Sequence, residues 1–254
     1  MTKKIEWLKI LGLLGYVLLA CIFILIFRPP YILTIIIVLV PPSIVNFLWL
    51  KNSKKRVLIF SIVTALLFGP PIELALRLAN AWDVQSFFFR PLGIIPLENM
   101  LFAFLNFFWV ISFYEYFIDR SKEQKISRKF KFLVGLYILL LVIVFGTFIH
   151  NPTLIAINYA VASIPILIIP SLIIYFKNPK LLKKIVIPIL FFAIVFFVYE
   201  VVALIIGNWW WPGEYIYPVT IFGKIFPLDD AFIWYFLSTA TLIGGYEFFV
   251  DDFN

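Results

Sequence analysis

The stretch "IVIPILFFAIVFFVYEVVALII", Ile185 to Ile206, decides the fold class. It runs for 22 residues, and only Tyr199 and Glu200 within it carry a polar side chain. A membrane-spanning helix needs about 20 predominantly apolar residues to cross the hydrocarbon core of a bilayer. The stretch is therefore predicted to be a transmembrane helix that holds one carboxyl group inside the membrane.

The same pattern recurs along the whole chain, whose 254 residues are 63% hydrophobic and 14% charged. A soluble domain carries about 25% charged residues. Prolines and charged clusters divide the sequence into apolar segments. These segments cover approximately residues 8–27, 31–50, 57–79, 96–118, 132–149, 153–176, 185–206 and 227–249. Because the alternation of a membrane β-barrel is absent, we predict an all-α integral membrane protein with about eight transmembrane helices.

Lysine and arginine are distributed unevenly between the loops. Of the 21 basic residues, 17 belong to the N-terminus and to the loops after segments two, four and six. Basic loops are retained on the cytoplasmic side of a membrane, so both termini are expected to be cytoplasmic, in the cell membrane. The first apolar segment is too long for a signal peptide and lacks a cleavage site, so we interpret it as the first helix.

The composition offers little for a cofactor or a metal. A single cysteine, Cys21, excludes an internal disulfide and a cysteine-ligated cluster. A single histidine, His150, argues against a histidine-ligated metal site. No glycine-rich nucleotide-binding motif is present. We expect no cofactor and no metal, and we attribute the net charge of +7 to membrane topology rather than to nucleic-acid binding.

Two parts of the chain carry the same acidic pattern. Glu73 and Glu200 are each followed nine residues later by a tryptophan. A Pro-Leu-acid sequence then begins the next apolar segment, at residues 96–98 and again at residues 227–229. The recurrence of both features at matching distances indicates an internal repeat.

The repeat extends to the ends of the fourth and eighth segments. "YEYFID" at residues 114–119 matches "YEFFVD" at residues 246–251. Four helices return the chain to the side where it started, so both copies would have the same orientation. We therefore predict two parallel four-helix repeats, residues 1–124 and 125–254, with a site between them that receives equivalent groups from each.

Five carboxyl groups are candidates for this site. Glu73 and Glu200 lie inside apolar helices, where an acid costs about 2.5–3.5 kcal/mol. Glu98, Asp229 and Asp230 lie in the first turn of the following helix, and all five are expected near the outer side of the membrane. An acid after a proline also stabilises a helix start without any further role. That alternative stays open, above all for Glu98, whereas a mid-helix acid caps nothing.

The acid inside the first copy has a basic neighbour that the second copy lacks. Arg77 stands four residues after Glu73, on the same helix face, where it can form an ion pair. The position equivalent to Arg77 is Leu204. Glu200 therefore has no local counter-charge, and we predict that it is held protonated and acts as the proton donor.

The second copy also has an additional acid. Asn99 in the first copy corresponds to Asp230 in the second. A helix N-terminus favours the charged form of an aspartate, so we predict Asp229 as the base or counter-ion. Asp229 and Asp230 point about 100° apart on a helix, so only one is expected to face the pocket.

Two further features of the sequence can be explained by a structural role alone. Glu115 and Glu247 recur about 25 Å along the helix from the Pro-Leu-acid motifs, which places them near the cytoplasmic face in a structural or interfacial role. The run Trp209–Trp211 either lines a hydrophobic pocket, where ring faces stabilise cations, or belongs to an interfacial aromatic belt.

These motifs resemble the lycopene cyclase domain of the membrane type. "YEVVALIIGNWW", Tyr199 to Trp210, is followed by "FPLDD", as in that family's aromatic-acid-x-x-Ala helix, Gly-x-Trp and Pro-Leu-Glu-Glu helix start. "IELALRLANAW", Ile72 to Trp82, followed by "IPLENM", is similar to a degraded first copy. In the first copy, Asn99 stands at the second acidic position of the Pro-Leu-Glu-Glu motif, and Asn80 stands in place of the glycine of Gly-x-Trp. The resemblance covers both halves, mainly the last two helices of each.

The resemblance implies a redox-neutral cyclisation of lycopene end groups. Its motif acids map onto Glu73, Glu98, Glu200, Asp229 and Asp230. In this chemistry an acid protonates the terminal double bond at C2, the C5=C6 bond closes a six-membered ring, and a base removes a proton, from C6 for a β-ring. The implied substrate is a lipophilic polyene dissolved in the bilayer. Because both repeats are fused, no partner subunit is expected.

Three other functions remain open at this point. Water could capture the same cation, which would make the protein a carotenoid end-group hydratase. Intramembrane acids also occur in proton-coupled transporters, although inverted repeats would fit that class better than parallel ones. A scaffold that has lost its activity is the third alternative, because Asn99 departs from the family motif.

Overall fold

The computed structural model describes residues 6–121 and 125–251, and within these ranges the chain folds into eight long helices. In chain order they are α1 (Trp7–Phe27), α2 (Tyr31–Trp49), α3 (Lys54–Leu78), α4 (Leu97–Asp119), α5 (Phe130–His150), α6 (Tyr159–Lys177), α7 (Leu181–Ile206) and α8 (residues 228–251). The helices α1 to α7 are long and apolar enough to cross a membrane. The predicted class, an all-α multi-pass membrane protein, is confirmed.

The helix boundaries differ most from the sequence-based segments at α6. We predicted a start near residue 153, but Pro152–Leu154 forms a separate short turn. The helix begins at Tyr159 instead, because the side chain of Asn158 accepts a hydrogen bond from the Ala160 amide at 2.9 Å and caps it. Asparagine is a favoured residue at this capping position.

Several helices contain wide π-helical turns. These turns are Thr64–Phe68 in α3, Glu115–Asp119 in α4, Ile164–Ile168 in α6, and Ala231–Leu237 and Glu247–Asp251 in α8. In α3 the wide turn immediately precedes Pro70 and Pro71, which lack the amide hydrogen that a regular helix requires. Such turns shift the helix register by one residue and occur often at functional sites.

The loops that hold the tryptophans meet at one end of the helices, which we call the aromatic end. Strand β1 (Asp83–Val84) pairs antiparallel with β2 (Trp209–Trp210), so the loops after α3 and α7 are joined. A hairpin of β3 (Pro218–Ile221) and β4 (Lys224–Pro227) precedes α8. These paired loops form a cover over the helix ends.

The opposite end, which we call the basic end, contains reciprocal contacts between the two halves of the chain. The Tyr114 hydroxyl donates to Glu247, and the Tyr246 hydroxyl donates to Glu115. Both glutamates are buried. These are the contacts that a two-fold relation between the halves would produce, and they agree with the structural role expected for the two glutamates.

Two cations complete the reciprocal arrangement at the basic end: Arg56 is buried, and Lys184 is partly exposed. The Arg56 guanidinium lies 2.8 Å from Glu115 and also pairs with Asp251 from the other half. The Lys184 ammonium lies 2.5 Å from Asp119, which also belongs to the other half. Each half thus sends a cation to a carboxylate of its counterpart, and the division at residues 1–124 and 125–254 stays a prediction.

The distance from the basic-end cation to the mid-helix acid differs by one residue between α3 and α7. Arg56 precedes Glu73 by 17 residues, whereas Lys184 precedes Glu200 by 16. The wide turn Thr64–Phe68 lies between the first pair, and a π-helical turn accommodates one extra residue. This wide turn can account for the longer spacing in α3.

The packed core and the lipid-facing surface are divided unequally among the helices. The helices α4 and α7 meet through aromatic side chains, with ring centroids of Trp109 and Phe192 5.1 Å apart and those of Phe113 and Phe191 4.5 Å apart. In contrast, α5 buries only two residues of its length. The α5 helix therefore lies at the edge of the assembly.

Candidate functional site

A cavity of about 750 Å³ lies among α3 to α8. Its walls are almost entirely apolar, and its polar lining is concentrated at the aromatic end. Three of the five predicted site acids, Glu73, Glu200 and Asp230, line this cavity. The two halves of the chain therefore contribute carboxyl groups to one shared space, as the repeat predicted.

The carboxylate of Glu73 is fully compensated by its neighbours. Arg77 forms an ion pair with it, with 3.1 Å between Arg77 Nε and Glu73 Oε1. The Asn99 side-chain amide donates to Oε1 at 2.8 Å, and the Trp82 indole N–H donates to Oε2 at 3.3 Å. The ion pair predicted from the four-residue spacing is confirmed.

The partners of Glu73 are themselves held in place. Arg77 also donates to the carbonyl oxygen of Trp82 at 2.8 Å. The Tyr31 hydroxyl donates to the Asn99 side-chain oxygen at 2.9 Å. The Glu73 carboxylate and the Asn99 amide therefore have partners for both of their polar atoms, whereas the Arg77 Nη2 atom is buried without a hydrogen-bond partner in the described ranges.

Glu200 lies in a different environment. None of the described residues forms an ion pair with it, in agreement with the leucine at position 204. The Tyr235 hydroxyl donates to Glu200 Oε2, while the Oε1 atom is buried without a hydrogen-bond partner in the part of the chain that the structure describes. The Trp211 side chain lies beside it. The second-half acid thus lacks the compensation that Arg77 provides in the first half.

A second acid adds to the negative potential around Glu200. Asp230 is buried, lines the same cavity and interacts electrostatically with Glu200. Its Oδ1 atom has no hydrogen-bond partner among residues 6–121 and 125–251. Two carboxyl groups close together in apolar surroundings cannot both ionise easily, and pairs of this kind share a proton. The arrangement can therefore supply a proton and receive one.

Glu98 is directed to the loop after α3 and is not among the residues that line the cavity. Its Oε1 atom accepts hydrogen bonds from the amides of Phe87 at 2.5 Å and Phe88 at 2.8 Å. Its Oε2 atom accepts from the Ser86 hydroxyl at 3.0 Å. The residue anchors the loop of the first half to the start of α4.

Asp229 has the equivalent position in the second half and the same kind of partners. It accepts hydrogen bonds from the amides of Ile216 and Tyr217, each at 3.2 Å, and from the Tyr159 hydroxyl. It also lies outside the cavity lining. Of the two adjacent aspartates, Asp230 is the one that faces the cavity, so the structure does not bring Asp229 to the position expected for a base.

Four indole rings surround the acids, and we call them the indole cluster: Trp82, Trp209, Trp211 and Trp234. Trp82 is at its centre, with ring centroids 6.1 Å from Trp209, 6.1 Å from Trp211 and 5.6 Å from Trp234. All four line the cavity. Indole faces are electron-rich and attract cations, so the cluster can stabilise positive charge that develops beside the acids.

The strand geometry of β2 explains why only part of the tryptophan run faces inward. Successive side chains of an extended chain point to opposite sides. Trp209 and Trp211 accordingly line the cavity, whereas Trp210 is 41% exposed and does not. The pocket interpretation therefore applies to Trp209 and Trp211, whereas Trp210 faces outward.

A charged clamp at the aromatic end holds the cover against the first-half site. Asp83 in β1 pairs with Arg77 and, at 3.1 Å, with Arg90. Burial alone would raise the pKa of Asp83, but the hydrogen bonds and charges of these arginines outweigh it, so the pKa lies below its usual value. Arg77 therefore bridges a loop carboxylate and the carboxylate inside the membrane.

Metal-binding geometry is limited to the basic end in the described ranges. Carboxylate oxygens of Glu115, Asp119 and Asp251 lie within 4.8 Å of one another. The Arg56 and Lys184 side chains already pair with these carboxylates. The group is thus a salt-bridge network, and the acids of the cavity form no comparable cluster of three.

Sequence reasoning missed two aromatic residues of the site. Tyr235 supplies the hydrogen bond to Glu200, and Trp234 belongs to the indole cluster. A usable signal was present, because Trp234 stands four residues after Asp230, a spacing that places both on one helix face. The hydrogen bonds of Glu98 and Asp229 to loop amides had no such signal, since they depend on the tertiary path of the loops.

Comparisons of the chain with protein-family models, with curated proteins and with solved structures found no match.

Proposed function

We propose that the protein is a membrane-embedded cyclase that closes a six-membered ring at the end of a linear polyene, with lycopene or a related carotenoid as substrate. The observation that carries the proposal is the uncompensated pair Glu200 and Asp230 beside the indole cluster, at one end of an apolar cavity. Proton-initiated cyclisation requires an acid, a base, cation-stabilising surfaces and the exclusion of water. The resemblance of the sequence motifs to the membrane-type lycopene cyclases supports the same reaction class.

In this mechanism Glu200 and Asp230 share one proton. The protonated member delivers it to C2 of the terminal double bond, and the pair is then fully ionised. Tyr235 fixes the orientation of Glu200 through its hydrogen bond. A positioned acid of this kind contributes about 10²- to 10⁴-fold to a rate.

The cation that results is closed and neutralised inside the cavity. The C5=C6 bond attacks the cationic carbon, which forms the six-membered ring and moves the positive charge to C5. The indole cluster and the two ionised carboxylates stabilise this charge. Asp230 then removes the C6 proton, which restores the shared proton and leaves the substrate's elemental composition unchanged.

The other predicted acids have supporting roles in this proposal. Glu73 stays ionised because Arg77 pairs with it, and its charge adds to the negative potential of the cavity. Glu98 and Asp229 hold the loops that carry Trp82 and Trp209 over the cavity. We therefore assign the base to Asp230 rather than to Asp229.

Hydration of the same end group is the second candidate, because one observation favours it. Glu200 Oε1 and Asp230 Oδ1, together with the indole N–H groups of Trp209 and Trp234, have no hydrogen-bond partners in the described ranges. Buried polar groups of this kind are usually satisfied by a bound water. A water at this position would capture the cation and add one water to the product mass.

Expression in a lycopene-accumulating bacterium tests the proposal. We expect chromatography to show a mono- or bicyclic product with the same mass as lycopene. A product heavier by one water identifies the hydratase. Unchanged lycopene, with correctly folded protein in the membrane, contradicts both.

We also propose that the protein resides in the cell membrane with its basic end on the cytoplasmic side, because basic loops are retained there. Labelling of single cysteines introduced at Lys54 and at Trp210, in a Cys21→Ala background, tests this orientation. Reagents that cannot cross the membrane are expected to modify position 210 in intact cells and position 54 only after lysis. The reverse pattern contradicts the proposed orientation.

A further inference from the structure

The cavity is long, and its reactive groups lie at one end only. Along α6 its lining runs from Ala162 to Lys177. This distance is about 22 Å at 1.5 Å per residue, which is a large part of the thickness of a bilayer core. The acids and the indole cluster lie at the aromatic end, and the remainder of the wall is mostly apolar, with Lys177 near its far end. The shape suits an extended apolar chain with one terminus at the acids.

The helices α5 and α6 form one side of this cavity. On α5 the lining residues recur every three or four positions and so belong to one helix face: Leu133, Leu136, Tyr137, Leu140 and Val144. On α6, Ala162, Ile166 and Ile173 also line the cavity. Both helices also expose apolar side chains on their outer faces. The wall between the cavity and the lipid is therefore one helix thick.

The two helices are tied to other parts of the protein and not to each other. Tyr137 of α5 packs against Phe68 of α3, with ring centroids 5.3 Å apart. Tyr175 of α6 donates a hydrogen bond to the Ala240 carbonyl of α8 at 2.6 Å. Between the described residues of α5 and α6 no hydrogen bond or ring contact is formed. We call the boundary between α5 and α6, which no such contact crosses in the described ranges, the seam.

The α6 side of the seam is also built to deform. Its wide turn Ile164–Ile168 contains Pro165, and Pro170 follows shortly after. Proline removes a backbone donor, and π-helical turns and prolines are the usual causes of bending in a helix. The lining residue Ile166 lies within this wide turn. A small displacement of α6 would therefore widen the seam without breaking a regular helical hydrogen-bond ladder.

We propose that the seam between α5 and α6 is the entrance through which a lipophilic chain passes from the bilayer into the cavity. This inference rests on the proposed function for the identity of the chain, an extended polyene. The polyene enters sideways between the helices. Its end group then lies at the indole cluster, and its remaining length lies along the apolar wall toward the basic end. The reactive groups lie at one end of the cavity, so only one terminus of the polyene can react at a time. A polyene with two reactive termini must therefore leave the cavity and enter again in the opposite direction.

Substitutions at the seam test this entrance. Leu140→Phe and Ile166→Phe enlarge side chains that line the cavity and are only partly exposed. Their matched controls are Leu139→Phe and Leu172→Phe, which enlarge neighbouring side chains that face outward and do not line the cavity. Phenylalanine adds no tryptophan fluorescence, so all variants share the same signal.

The probe is trans-parinaric acid, a linear conjugated tetraene that quenches tryptophan emission by energy transfer. Stopped-flow quenching is measured with the full-length protein in lipid nanodiscs, where probe dissolved in lipid gives the same background for every variant. We expect the seam variants to bind about tenfold more slowly, equivalent to about 1.4 kcal/mol in the barrier, with the controls at the unmodified rate. Equal binding rates in all four variants, or absence of saturable quenching, would contradict the proposed entrance.

Conversion of lycopene by the same variants separates this inference from the proposed function. If the unmodified protein converts lycopene while the seam variants convert it equally fast, the function stands and the entrance is wrong. If the seam variants bind the tetraene slowly but no variant converts lycopene, the entrance stands and the cyclase proposal fails.

Discussion

The two acid sites of the cavity have the same origin in the sequence pattern and opposite electrostatics. Around Glu73, an arginine, an amide and an indole supply a complete set of donors. Around Glu200, one tyrosine hydroxyl donates, and a second acid, Asp230, interacts with it electrostatically. The difference depends on two positions, Arg77 against Leu204 and Asn99 against Asp230. We therefore expect the compensated copy to contribute to stability, and the proposed mechanism assigns proton transfer to the copy without compensation.

The largest effect is expected from removing the acid of the second-half site. Glu200→Gln keeps the shape of the side chain but replaces the carboxylic acid with an amide, which cannot protonate an alkene. We therefore expect turnover of lycopene to fall by at least about 100-fold. Product formation in a lycopene-accumulating strain measures this loss, with the amount of folded protein in the membrane determined in parallel. Full activity of Glu200→Gln would remove this residue from the acid role.

Removing the counter-charge of the first-half site is expected to act on stability instead. Arg77→Leu leaves Glu73 as a buried, unpaired carboxylate, which costs about 3–5 kcal/mol when one partner of a buried pair is lost. Thermal unfolding in detergent measures the change. The control is Arg77→Leu combined with Glu73→Gln, which removes both charges and should recover most of the loss. Equal destabilisation of the single and the double variant would contradict the ion-pair account.

The tyrosines of the two sites give a smaller contrast. Tyr235→Phe removes the hydrogen bond that the Tyr235 hydroxyl donates to Glu200, which is worth about 1–3 kcal/mol for a buried group, so we expect about a tenfold loss of activity and a shifted pH profile. Tyr31→Phe removes a bond to Asn99 in the first-half site and should leave the pH profile unchanged. Identical pH profiles for both variants would remove the special role of Tyr235.

The smallest effect is expected at the basic end, where the halves are most alike. Arg56 contacts two carboxylates with its two terminal nitrogens, and a lysine cannot reproduce that forked geometry. We expect Arg56→Lys to reduce the free energy of unfolding by about 1–2 kcal/mol and Lys184→Arg to change it less. Denaturation midpoints measure both. A larger loss for Lys184→Arg than for Arg56→Lys would contradict this ranking.

The sequence allowed the membrane class and the helices to be predicted because length and hydropathy determine them locally. It also gave the ion pair of Glu73, since Arg77 lies one helical turn away. The contacts of Glu98 and Asp229 could not be predicted in this way. Their partners are loop amides 10 to 13 residues away in the chain, and only the folded path of the loops brings those amides to the carboxylates.

The assignment of Asp230 rather than Asp229 to the cavity illustrates the same limit. Adjacent residues at a helix start point about 100° apart, so the sequence indicated that only one of them would face inward. Which of the two does so depends on the rotation of α8, in which Tyr235 packs against Phe196 of α7 and Trp234 packs against Trp82 of the loop after α3. Reciprocal contacts at the basic end, such as Tyr114 with Glu247, likewise appear only when both halves are folded together.

Infrared spectroscopy tests the central claim most directly, because a protonated carboxyl group has a carbonyl stretch separate from the carboxylate bands. Difference spectra at neutral pH compare the unmodified protein with Glu200→Gln/Asp230→Asn and with Glu73→Gln. We predict that the first substitution pair removes one protonated-carboxyl band and that Glu73→Gln removes only carboxylate intensity. If the double variant loses only carboxylate bands, the second-half acids are both ionised and the account is contradicted.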